Sequence, residues 1–150
     1  MHSSILAIAL SVGVISALPG VAAAEMLISE AEAKLPASTD VGLTTRGMTR
    51  GPGVEQISPN PDLGVASPLP LKVKFIARNN VAIDPASVKV TYVKATAVDL
   101  TERIKKHLTA DGIDMANAEI PPGTHHLRIN LKDGQGRTTT ATIKVIVAPK

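Results

Sequence analysis

Residues 121–147 read PPGTHHLRINLKDGQGRTTTATIKVIV, and their two-residue alternation constrains the fold more than any other stretch of the chain. Leu127, Ile129 and Leu131 share one parity while Arg128, Asn130 and Lys132 take the other, the pattern of a strand with one buried face. A second run repeats it, with Ala141, Ile143, Val145 and Val147 on one side and Thr140, Thr142 and Lys144 on the other. Between the runs, Gly134 and Gly136 supply the positive φ that a short hairpin loop with a bulge requires. The expectation is a β-hairpin that closes an all-β domain.

Upstream, the same period recurs between turn signals. Residues 54–57 form a first strand stopped by Ser58-Pro59-Asn60-Pro61. Residues 71–77 alternate Leu71, Val73, Phe75 and Ala77 inward against Lys72 and Lys74 outward, and Asn79-Asn80 then turns the chain. After Asp84-Pro85, a third strand carries Val88, Val90 and Tyr92 on one parity, which assigns Tyr92 to the core or its rim. One helix is expected at about 100–108, with Asp99 and Glu102 in the spacing of an acidic capping box and Leu100, Ile104 and Leu108 as its apolar stripe. Residues 113–118 read as a weak strand. Together these make an antiparallel β-sandwich of about seven strands over 54–150 with one short inserted helix.

The chain ahead of this domain divides in two. Residues 1–24 hold no Asp, Glu, Lys or Arg, and an apolar run over 5–18 is followed by Pro19-Gly20 and Val21-Ala22-Ala23-Ala24. That is the layout of a signal peptide cleaved after Ala24, and the run is shorter than the ~20 residues of a spanning helix. The n-region lacks Lys and Arg. Residues 25–53 read as a flexible segment, with a short polar helix at 25–35 and a Thr-, Gly- and Pro-rich linker after it. Arg46 and Arg50, in the run Arg46-Gly47-Met48-Thr49-Arg50-Gly51, are its candidate partner-binding residues. These readings place the mature protein in the periplasm or outside the cell, with no stable membrane insertion.

Composition narrows the function. The chain has no cysteine, which rules out disulfides, thiolate metal sites and a lipid anchor behind the signal. The 16 basic and 13 acidic residues give only +3, the cations are scattered, and Phe75 and Tyr92 are the only aromatic rings. Nucleic acid binding needs a phosphate-tracking patch and stacking rings, and sugar platforms need exposed rings, so neither is expected.

The run Gly123-Thr124-His125-His126-Leu127-Arg128-Ile129, followed by Asp133-Gly134-Gln135-Gly136-Arg137, resembles the last hairpin of bacterial immunoglobulin-like domains. Ile83-Asp84-Pro85-Ala86-Ser87-Val88 and Val98-Asp99-Leu100-Thr101 are similar to the same group. The resemblance covers most of 54–148. It implies an immunoglobulin-like sandwich and leaves function open, because that architecture hosts adhesins, enzyme spacers and small binders. It also implies a fold role for His125, where the pattern carries a His or Tyr.

Catalytic signatures are missing: there is no G-x-S-x-G elbow, no H-E-x-x-H and no phosphate-binding glycine loop. His125 and His126 invite a metal reading, with Met26 as a soft companion for copper. Strand geometry sends the two histidines to opposite faces. Ile57-Ser58-Pro59 and residues 71–75 are similar to the first strands of small periplasmic copper-resistance proteins, but those start with a ligating His where this chain would start Glu25-Met26. Calcium lacks a carboxylate-dense loop. The expectation is therefore a non-enzymatic, cofactor-free module that binds or scaffolds an unknown protein partner, with copper handling as the alternative.

Overall fold

The computed structural model describes residues 23–39 and 50–150. Six long strands form two sheets: β2 (Gly53–Ser58), β4 (Leu69–Ile76), β5 (Ile83–Tyr92), β8 (Gly112–Glu119), β9 (Gly123–Asp133) and β10 (Thr138–Val147). Four two-residue strands border them: β1 (Glu25–Met26), β3 (Gly64–Val65), β6 (Val98–Asp99) and β7 (Leu108–Thr109). The first sheet runs β1-β8-β4-β2, with β7 also on β8; the second runs β3-β10-β9-β5-β6. All pairings are antiparallel except β1 with β8 and β3 with β10. This is an all-β sandwich with short helices, as the alternation requires.

Parity decides what faces inward. In β4, Leu69, Leu71, Val73 and Phe75 are buried, whereas Pro70, Lys72, Lys74 and Ile76 are exposed. Ala77, expected on the inward face, lies past the end of β4 and is exposed. In β9 and β10, Ile129 and Val145 are both 0 % exposed and fill the middle of the core. The loop between them is built by Asp133, whose Oδ1 accepts from the amides of Gln135 (2.9 Å) and Arg137 (3.0 Å) and whose Oδ2 accepts from Arg137 Nε at 2.6 Å. Burial raises the Asp133 pKa, but these hydrogen bonds outweigh it and hold the carboxyl below its ordinary value. Between β4 and β5, where the chain crosses from the first sheet to the second, Asn79 and Asn80 adopt φ of 55° and 57°, the left-handed turn that Asn tolerates.

Two local expectations hold with adjusted ends, and one is corrected. Residues 113–118 belong to a full eight-residue strand, β8, central in the first sheet. Its first residue, Gly112, has φ +149° and sits where a Cβ would lie 2.0 Å from the Val73 carbonyl oxygen. The helix expected at 100–108 is one turn, α2 (Thr101–Ile104), continued by a 3-10 turn over Lys105–His107. Asp99 does not cap it in a box with Glu102; its carboxylate accepts from the Thr101 amide at 2.9 Å.

The largest correction concerns the first part of 25–53, a segment expected to be flexible; residues 40–49 of its expected linker lie outside the described residues. That first part, residues 25–36, is a strap packed along the side of the sandwich. Leu27 and Ile28 are 0 % and 1 % exposed within the single core cluster, and both amides donate to the Glu119 carbonyl. A one-turn helix, α1 (Glu30–Ala33), follows, with a reciprocal capping box: Ser29 Oγ accepts from the Glu32 amide and Glu32 Oε2 from the Ser29 amide. The physical reason is burial: two adjacent large aliphatic side chains gain more from the core than a free segment gains in entropy. The expected signal peptide lies outside the described residues except for Ala23 and Ala24.

Candidate functional site

The strap opens a cleft at one end of the sandwich. Met26, Ile28, Ser29 and Glu30 form one wall, Ser67 and residues 119–122 the other, and Lys150 closes the rim around about 430 Å³. Ser67 positions the far wall by accepting the Ile120 amide on its Oγ at 3.1 Å. Met26 is 58 % exposed, one of four exposed large apolar side chains among the described residues, with Ile57, Leu63 and Ile76. The floor is apolar, from Ile120, Pro121 and Pro122, and Glu30 and Glu119 add carboxylates at the edge. Such a surface suits a peptide with an apolar side chain flanked by a basic one.

Behind the far wall lies a buried polar pair. His125 Nε2 donates to the Pro121 carbonyl at 2.7 Å, since a carbonyl can only accept, and its Nδ1 therefore accepts from the Tyr92 hydroxyl at 2.8 Å. His125 is 2 % exposed and Tyr92 1 %. Burial pushes the His125 pKa below the ordinary histidine value, the Pro121 hydrogen bond pulls the other way, and Lys94 and His126 lower it further. Burial raises the Tyr92 pKa, with the Glu32 charge adding to the effect. The pair is thus neutral, satisfied and fixed to the backbone of the cleft wall.

The candidate ligands from the sequence are not brought together. His125 turns inward with both ring nitrogens engaged, so it has no lone pair free for a metal. His126 turns outward on β9, in register with Lys144, and burial followed by Lys144 and Lys94 lowers its pKa. Met26 lines the cleft without a histidine beside it. Among the described residues, no group of three or more His, Asp or Glu side chains is placed to hold a metal ion. Arg50 is exposed and lies away from the cleft lining, and Arg46 lies outside the described residues.

The residues missed by sequence reasoning are those that hold the strap. Arg103 grips the Glu32 carboxylate with both terminal nitrogens (2.8 and 2.7 Å) and also donates to the Leu27 carbonyl at 2.8 Å. That grip takes the Glu32 pKa from 4.5 to about 2, against the effect of burial. Lys106 and His107 hold Glu25 at 2.6 and 2.7 Å, and Lys94 donates to the Ala33 carbonyl at 2.9 Å. The Ser29-x-x-Glu32 spacing was the signal that marks this segment as structured.

No protein-family model, no curated protein and no solved structure matches this chain.

Proposed function

We propose that the chain is an exported, non-enzymatic immunoglobulin-like module that binds a protein partner through the cleft at its strap end. The strand grouping supports the fold name: β2, β4 and β8 take the places of strands A, B and E, and β5, β9 and β10 those of C, F and G. The cleft is the observation that carries the function, because it joins an apolar floor to carboxylates at its edge. Three of the four edges end in two-residue strands. The fourth, β2, is bridged to β10 by Gln56, whose amide donates to the Lys144 carbonyl at 2.8 Å and accepts from its N–H at 3.3 Å. The short strands cover only part of β5 and β10, so strand addition to the rest of those strands stands as the second route for a partner. Copper handling draws no support from a cleft in which Met26 stands without imidazole.

The test is site-specific photo-crosslinking of the full chain in cells that make it. A photoreactive residue at position 26 or 122 captures one and the same protein, and Glu119→Lys abolishes the capture. No product from either position, or equal capture from position 132 on the opposite face, overturns the reading.

A further inference from the structure

The outer face of the first sheet carries a hollow of about 330 Å³ that shares no lining residue with the cleft. Its origin is Gly112. With φ of +149°, a Cβ there would lie 2.0 Å from the Val73 carbonyl oxygen, so only glycine fits and that point of the sheet has no side chain. The cross-strand neighbours of Gly112, Lys74 on β4 and Thr109 on β7, are both exposed. Ile57 joins the lining from the register shift between β2 and β4, and is 52 % exposed. Charge is sorted across the hollow: Lys72 and Lys74 stand on the β4 side, Asp111 and Asp114 on the β8 side. The ion pair that crosses it, Lys72 to Asp114, is 3.9 Å long with side chains 51 % and 71 % exposed, too loose and too wet to close it.

A glycine inside a strand marks a place where another group approaches the backbone closely, and an aromatic ring from a neighbouring strand is the usual cover for one. This chain has no ring to give. Its only Phe, Tyr or Trp side chains, Phe75 and Tyr92, are 4 % and 1 % exposed in the core. We propose that the hollow over Gly112 takes a tryptophan or tyrosine side chain of a protein partner, as a contact surface separate from the cleft. The ring lies on the Gly112 backbone and against Ile57. Its edge, with the indole N–H or phenol O–H, meets the carboxylates of Asp111 and Asp114, and the Lys72 and Lys74 side chains fold over its outer face. A ring is negative on its face and positive at its edge, so the two charge rows match it in this orientation. An aliphatic side chain gains nothing from them.

Titration of the isotope-labelled full chain with N-acetyl-L-tryptophanamide, followed by NMR, tests the site. The probe shifts the amides of Val73, Gly112 and Ile113 and the methyls of Ile57, and it saturates in the millimolar range, whereas N-acetyl-L-leucinamide at equal concentration does not shift them. Ile57→Ser weakens the tryptophan probe about tenfold, the worth of covering the exposed half of an isoleucine. Lys74→Trp lays a ring from β4 over Gly112, so it raises the Tm and removes the probe's shifts. Shifts that do not saturate, equal shifts from the leucine probe, or shifts confined to the cleft residues Ser29 and Ser67 overturn the proposal.

Discussion

Strand parity turns His125 inward, where its ring joins Tyr92 to the backbone of Pro121 instead of offering a ligand. The parity was legible from the alternation of 127–131, whereas the partner was not, because Tyr92 lies on a strand 33 positions away. Tyr92→Phe leaves the buried Nδ1 of His125 without a donor, and the variant loses about 1–3 kcal/mol in urea unfolding. The same burial makes stability depend on pH. The folded His125 pKa lies below the ordinary 6.5, so the unfolded chain takes the proton first. Its contribution is complete above pH 6.5 and fades as the pH falls below that value. The Tm falls between pH 7.5 and 5, and His125→Gln flattens that slope.

At the scale of elements, β4, β9 and β10 were readable from their alternation of apolar and polar residues, and β5 only from Val88 on, because Asp84-Pro85, expected as a turn, lies inside the strand ahead of a register shift. β8 was readable only in part. Its sequence, GIDMANAE, is poor in β-branched and aromatic residues, and its place between β4 and β1 is imposed by those neighbours. The strap escaped for another reason: Leu27 and Ile28 are adjacent, so neither period marks them, and both are buried where the chain bends away from the sheet after Met26. The capping box at Ser29 and Glu32 was the visible clue, and the value of that box depends on Arg103, far along the chain. Glu32→Gln costs about 1–2 kcal/mol at pH 7 once screening at the half-exposed Arg103 is allowed for. Because the Glu32 pKa falls from 4.5 to about 2, that contribution is whole above pH 4.5 and disappears toward pH 2. Unfolding curves at pH 7 and at pH 2 therefore show a gap between parent and variant that closes in acid.

At the scale of the whole molecule, the described residues build one core, shared by both sheets, the strap and α2. Its centre is the hairpin of β9 and β10, where Ile129 opposes Ala141 and Leu127 opposes Ile143 across the ladder. Ile129→Asp places an unpaired carboxylate at a position that is 0 % exposed, and the chain loses its cooperative unfolding transition at 25 °C, as followed by circular dichroism. The cleft is a property of this scale, since one wall comes from the first residues of the strap and the other from the turn that enters β9. A partner that binds there requires the strap to be docked. Amide hydrogen exchange of the full chain measures that docking directly. The Leu27 and Ile28 amides, held on the Glu119 carbonyl, are expected to exchange as slowly as those of Ile129 and Val145. Exchange at the rate of an unprotected peptide at 27 and 28, with β9 and β10 still protected, contradicts a sandwich that the strap completes.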